Sequence, residues 1–94
     1  MAIAVVQDWV VEDRSTENYD KIDARVQADG NPPGLILHCA GFDGDRFRIF
    51  DVWESDDAFE KFNERLMPLV MEIVPADLPP PQISRYELHN VIAP

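Results

Sequence analysis

A histidine and a carboxylate that face each other across a predicted hairpin are the first candidates for chemistry in this sequence. Asp43-Gly44 predicts a tight turn, because glycine accepts the positive φ that a primed two-residue turn requires. Strand pairing across that turn puts His38 and Asp51 on the same sheet face, opposite or diagonal to each other. A carboxylate at that distance can orient the imidazole and raise its basicity, as a general base requires. We therefore predict that His38 and Asp51 are catalytic.

A purely structural role for the same pair stays open. Two titratable groups on an otherwise apolar face cost free energy unless they satisfy each other, so His38 could equally be a buried or interface histidine. Cys39, the sole cysteine, points to the other strand face, so His38 cannot readily activate its thiol. One cysteine also permits neither an internal disulfide nor a thiolate metal cluster within one chain, and the sequence predicts no metal site.

Aromatic, amide and histidine side chains on the strands are the candidates for substrate binding. Trp9 and Trp53 could stack against a planar ligand, although large strand aromatics also serve as core or interface anchors. Gln7 is the polar interruption of the first strand. Tyr86 and His89 are three residues apart on the predicted last strand, so they point to opposite faces, and either could add a polar group to a pocket.

The elements that must position these residues follow the order β-α-β-β-α-β. Ser15 or Thr16 can cap a first helix that stops at Gly30, and Ser55 can cap a second. Pro68 lies inside the second helix and predicts a kink or a new short segment there. Four strands are predicted from runs of β-branched and aromatic residues: 3–11, 34–42, 46–53 and 83–92.

This order has a simple packing solution, an α+β ferredoxin-like fold in a single domain over residues 1–94. Both helices then cover one face of a four-stranded antiparallel sheet. The strands are apolar on both faces, so the bare face calls for a second sheet, and a homodimer with two sheets face to face supplies it. The face opposite His38 is nearly all apolar and is the predicted drier core: Leu35, Leu37, Cys39, Phe50 and Val52.

Charge and composition limit the kinds of partner that this chain is expected to bind. Eighteen acidic residues against eight basic ones give a formal net charge of -10, which repels phosphate backbones and anionic membrane surfaces. No apolar run approaches the roughly 20 residues that span a bilayer. The N-terminal apolar run lacks a basic region and stops too early for a signal peptide. We expect a cytoplasmic protein whose partners are a small molecule and a second copy of itself.

The run Trp53-Glu54-Ser55-Asp56-Asp57-Ala58-Phe59 resembles a motif of the antibiotic-biosynthesis-monooxygenase-like proteins of the dimeric α/β-barrel superfamily, and so does Pro33-Gly34. The resemblance implies the ferredoxin-like fold and the dimer. It also implies a small-molecule enzyme or binder similar to cofactor-independent monooxygenases of planar, hydrophobic or aromatic substrates, with no bound cofactor. In that scheme His38, supported by Asp51, deprotonates a phenol-like or enolisable substrate whose carbanion reduces oxygen.

Two other classes stay open: a non-catalytic dimeric binding or regulatory module, and an isomerase or cyclase that uses the same histidine without oxygen. Haem-degrading members share the Trp-Glu-Ser motif but carry a haem-ligating histidine on the second helix, at a place that falls near Met71 here. The second helix of this chain has no histidine, so the resemblance does not extend to haem degradation.

Overall fold

The computed structural model describes residues 1–11 and 14–92 and confirms the predicted order of elements. Four strands form one antiparallel sheet in the order β2-β3-β1-β4. Both helices lie on the same face, because residues of each line one cavity together with sheet residues. The elements are β1 (Ile3–Val10), α1 (Glu17–Gln27), β2 (Leu35–Asp43), β3 (Arg46–Trp53), α2 (Asp56–Ile73) and β4 (Gln82–Glu87).

The second helix begins at its predicted cap and continues past Pro68. Ser55 Oγ accepts a hydrogen bond from the backbone N–H of Ala58 at 3.1 Å, which satisfies one of the free donors of the first turn. The helix continues through Pro68 to Ile73 as one element, so the predicted new segment does not form. Proline removes one backbone donor there, and the apolar stripe on either side of it keeps the helix on the sheet.

The core lies between the sheet and α2, on the face that also carries Asp51. Its buried members are Ile3, Val5, Trp53 and Phe59, and Leu35 packs against them. The prediction of a drier core on the opposite face is therefore wrong for the single chain.

A β-bulge explains why Leu35 belongs to this core. Leu35 pairs with Trp53, whereas Leu37 pairs with Val52, so Ile36 is an extra residue on β2. One inserted residue reverses the side-chain alternation that follows it. Leu35 consequently faces the helices, while Leu37 lies on the other face and is 50% exposed.

The junction before β2 brings two backbones close together. Gly34 has a φ of +87°, and a Cβ added there would lie 2.5 Å from the Cβ of Ala58 in the first turn of α2. The carbonyl of Gly34 also accepts a hydrogen bond from the N–H of Glu54 at 2.9 Å. A residue without a Cβ is required here, because both the backbone conformation and the space exclude one.

The strand β4 ends at Glu87, five residues earlier than predicted. The N–H of Leu88 donates to the carbonyl of Ala2 at 2.9 Å, and no strand is formed by residues 88–92. His89 therefore lies beyond the sheet. Over the described part of the chain, neither helix has the length and apolar character needed to cross a membrane.

Candidate functional site

A cavity of about 390 Å³ lies between the sheet and the two helices. Its volume is in the range of pockets that hold small molecules, and most of its wall is apolar, as such pockets usually are. The helix-facing residues of β1, β2 and β3 form its floor, and α1 and α2 form its sides. The side chains in its wall that carry hydrogen-bonding groups include Gln7, Trp9, Tyr19, Asp23, His38, Asp51 and Trp53.

His38 and Asp51 are directly opposite each other on β2 and β3. The Nδ1 atom of His38 is 2.5 Å from Oδ1 of Asp51, and it donates its proton to that carboxylate. Asp51 is 5% exposed, whereas a third of the His38 side chain is exposed toward the cavity. The pair thus has a buried carboxylate behind an accessible imidazole, which is the arrangement of an oriented general base.

A tyrosine that the sequence analysis did not select completes this arrangement. The hydroxyl of Tyr19 on α1 is 2.5 Å from Nε2 of His38, and the two rings are parallel within 4°. Phe47 contacts the Tyr19 ring edge-on at a centroid distance of 5.2 Å. Tyr19 shares the helical spacing of Ile22 and Val26, so the sequence predicts only that it is a core residue of the first helix. The signal that could have found it is its hydroxyl, which needs a partner when the ring packs on a sheet.

Neighbouring carboxylates raise the pKa of both titratable rings, whereas burial acts on the two rings in opposite directions. Burial raises the pKa of Tyr19 to about 12, and the charges of Asp23 and Asp51 add to that effect. The hydrogen bond that His38 donates to Asp51 raises the pKa of His38 above its usual 6.5, although burial opposes this shift. At neutral pH Tyr19 therefore keeps its proton, and His38 holds a proton to higher pH than a free histidine does.

Trp53 brings a buried donor to the cavity wall. Its side chain is fully buried, and its indole Nε1–H has no hydrogen-bond partner among the described residues. A buried donor without a partner costs about 1–3 kcal/mol, so an oxygen acceptor on a ligand would recover that free energy. Farther along β1, Trp9 Nε1 donates to Gln7 Oε1 at 3.0 Å, which engages the amide oxygen and leaves the NH2 group of Gln7 as a donor.

Tyr86 and His89, by contrast, lie away from the cavity of the single chain. Tyr86 pairs with Ala4, which puts it on the sheet face opposite the helices, where it is 50% exposed. His89 follows the end of β4 and is exposed. Neither residue lines the cavity of the single chain, because alternation along β4 turns Tyr86 away and the strand ends before His89.

The charges in the cavity wall are negative. Asp23 and Asp51 supply two carboxylates, and the described residues that form the wall include no lysine or arginine. Within residues 1–11 and 14–92, no group of three histidine, cysteine, aspartate or glutamate side chains is arranged to hold a metal ion. The chemical groups that the cavity offers are thus a base, hydroxyl and indole donors, and aromatic faces.

No protein-family model matches the sequence, and no curated protein is significantly similar to it. Solved structures do resemble its fold. The cofactor-independent oxygenase SnoaB from Streptomyces nogalater superposes with a TM-score of 0.69 at 18% identity, over 97% of this chain and 96% of SnoaB. The protein Rv0793 from Mycobacterium tuberculosis superposes with a TM-score of 0.77 at 12% identity, over 99% of this chain and 100% of Rv0793. A candidate antibiotic biosynthesis monooxygenase from Caulobacter crescentus superposes with a TM-score of 0.75 at 16% identity, over 95% of this chain and 91% of that protein.

This chain has the fold of the antibiotic biosynthesis monooxygenase-like proteins. The likeness extends over nearly the whole length of each chain, so the fold implied by the Trp-Glu-Ser motif and by Pro33-Gly34 is confirmed. At sequence identities below 20%, the likeness shows a shared fold and does not show a shared reaction.

Proposed function

We propose that this chain is a small-molecule enzyme that deprotonates a planar, phenol-like or enolisable aromatic substrate, whose anion then reacts with molecular oxygen. The observation that carries the proposal is the hydrogen bond between His38 and Asp51 at the wall of an apolar cavity. Such a pair supplies a base whose orientation and basicity are both fixed by a buried carboxylate. The SnoaB structure, which has this fold, is that of a cofactor-independent oxygenase, and this supports the same class of reaction here.

The reaction that fits these groups begins with a proton moving from the substrate to the imidazole of His38. The substrate carbanion then transfers one electron to O2, and the substrate radical and superoxide combine into a peroxide anion. That anion takes up the proton, and loss of water leaves a ketone, so one oxygen atom of O2 enters the product and the other leaves as water. The indole N–H of Trp53 is suited to stabilise the negative charge on a substrate oxygen during the first step.

The negative wall of the cavity selects among such substrates. Asp23 and Asp51 repel an anion, and no lysine or arginine in the described wall offsets them. Neutral ring compounds with one or more hydroxyl groups are therefore the expected substrates, and the same rings bearing a carboxylate are expected to bind more weakly.

An oxygen-uptake screen tests the proposed reaction. Polycyclic phenols and enolisable aromatic ketones are supplied to the purified protein, each beside its carboxylate-bearing counterpart, and incorporation of 18O from 18O2 is followed by mass spectrometry. We expect oxygen consumption with neutral members and one 18O atom per oxidised product. Saturable binding without oxygen uptake across the panel would instead favour the non-catalytic binding module. Failure of all members to bind would contradict both.

We also propose that the protein works as a homodimer joined through the sheet face that the helices leave bare. That face carries apolar side chains such as Leu37 and Tyr86, each half-exposed in the single chain. A second sheet of the same kind would bury them. The free thiol of Cys39 lies on the same face and suits a reducing cytoplasm, where we propose that the protein resides.

Introducing a charge at Leu37 tests this interface. Leu37→Glu is expected to shift the protein from dimer to monomer in sedimentation equilibrium, because an unpaired buried charge weakens association by about 3–5 kcal/mol. Met71→Glu is the matched control, since Met71 on α2 is 78% exposed on the helical side of the molecule. A dimer that persists in Leu37→Glu, or a wild-type protein that sediments as a monomer, contradicts the proposed interface.

The pH dependence of the reaction should report His38. Only the neutral imidazole can accept a proton, so turnover should rise with pH through the His38 pKa, which Asp51 holds above 6.5. In Asp51→Asn the carboxylate is lost, the pKa of His38 falls, and the acidic limb of the kcat/KM profile is expected to move to lower pH. Titration of His38 by NMR checks the assignment. An unchanged acidic limb would show that His38 is not the titrating base.

A further inference from the structure

Both ring nitrogens of His38 are engaged in hydrogen bonds, so the exposed part of the ring offers no free basic atom. The Nδ1–H group of His38 donates a hydrogen bond to the carboxylate of Asp51, so the neutral ring has its lone pair on Nε2. That atom accepts the hydroxyl hydrogen of Tyr19 at 2.5 Å. A substrate in the cavity therefore meets the hydroxyl of Tyr19 before it meets the imidazole.

We propose that Tyr19 is a catalytic residue, the outer end of a relay Asp51–His38–Tyr19 that takes the proton from a hydroxyl group of the substrate. This inference rests on the proposed function and specifies which atom contacts the substrate. It also defines the substrate class, a phenol or the enol form of a ketone, because a tyrosine oxygen can accept a hydrogen bond from an O–H group and not usefully from a C–H group.

The proton transfer balances without any further reactant. The substrate O–H bond breaks as its proton moves to Oη of Tyr19, and the original Tyr19 proton moves to Nε2 of His38. The products are a substrate oxyanion, a neutral tyrosine and an imidazolium, which is stabilised by the carboxylate of Asp51. Tyr19 then donates its new proton in a hydrogen bond to the oxyanion, and this bond is charge-assisted.

The surroundings of Tyr19 suit a proton carrier that never ionises by itself. Its raised pKa, about 12, keeps the hydroxyl protonated at neutral pH, so it conducts a proton and does not act as an isolated tyrosinate base. The edge contact with Phe47 and the parallel His38 ring hold it in place. A fixed donor and acceptor at the cavity wall lowers the reorganisation that the transfer requires.

Ionisation of bound 4-nitrophenol tests the relay directly, because the phenolate absorbs visible light and the phenol does not. In the wild type we expect the bound phenol to ionise at lower pH than it does free in solution. In Tyr19→Phe the ionised fraction of the bound phenol is expected to fall about 10- to 100-fold, the loss of one hydrogen bond to a charged group. Binding of 4-nitroanisole, which has no acidic proton, should persist and shows that the variant is folded with its cavity intact.

The matched control is Tyr86→Phe, which makes the same change on the opposite sheet face and should leave the ionisation as in the wild type. If Tyr19→Phe ionises the phenol like the wild type while His38→Gln does not, the relay is overturned and the proposed function survives. If the wild type binds the phenol without ionising it, both are overturned. Nitrogen-15 NMR gives an independent readout: a neutral His38 with its hydrogen on Nε2 would overturn the relay irrespective of turnover.

Discussion

His38→Gln is expected to lower turnover of a phenolic or enolisable substrate by about 10²- to 10⁴-fold, the usual contribution of a general base. Glutamine keeps a side-chain NH2 group that can donate to the buried carboxylate of Asp51, so that carboxylate is not left without a partner. It has no group that accepts a proton at neutral pH. The loss should therefore appear in kcat, with little change in KM, because the apolar wall that binds the rings stays in place.

His89→Gln is the matched control for this experiment. It makes the same substitution at an exposed site outside the cavity, so its turnover should equal that of the wild type. Steady-state oxygen uptake with one accepted substrate compares all three proteins. If both His38→Gln and His89→Gln keep the turnover of the wild type, the imidazole of His38 takes no part in the reaction and the cavity is a binding site only.

Gly34→Ala is expected to reduce the free energy of unfolding by about 2–6 kcal/mol. Two costs combine, since a non-glycine residue at a φ of +87° is strained by about 1–3 kcal/mol and overpacking adds about 1–3 kcal/mol more. The added Cβ would meet Ala58 Cβ at 2.5 Å and Glu54 Cγ at 3.1 Å. The contact cannot relax easily, because Ala58 is in the first turn of α2 and its side chain has no rotamer to change.

Gly30→Ala separates these two costs. Gly30 has a similar φ of +80°, but an added Cβ there would have no atom within 4 Å. Gly30→Ala should lose only the backbone part, about 1–3 kcal/mol. Urea unfolding at a fixed protein concentration measures both variants. Equal losses at the two positions would mean that the approach of Gly34 to α2 contributes nothing to stability.

The parts of the site that could be predicted from sequence are those set by local rules. Turn chemistry at Asp43-Gly44 and the two-residue period of strands bring His38 opposite Asp51, and the structure has that pairing. Tyr19 could not be assigned in this way, because its contact with His38 depends on how α1 docks on the sheet. No periodicity within either segment encodes that docking.

The errors have equally specific causes. Leu35 was assigned to the wrong face because a bulge inserts Ile36, and nothing in a run of aliphatic residues marks such an insertion. The predicted strand extends to 92 and includes His89, whereas β4 ends at Glu87. Tyr86 does lie in β4, on the sheet face away from the helices. The β-branched residues after Asn90 have strand propensity, but they have no neighbouring strand with which to pair.

The bulge at Ile36 gives two leucines of one strand separate consequences for stability. Leu35 belongs to the core of its own subunit, so truncating it should destabilise the protein equally at every protein concentration. Leu37 belongs to the face proposed to meet a second copy, and its contribution should follow mass action, growing as the protein is concentrated. A melting temperature recorded across a dilution series would thus tell the two positions apart.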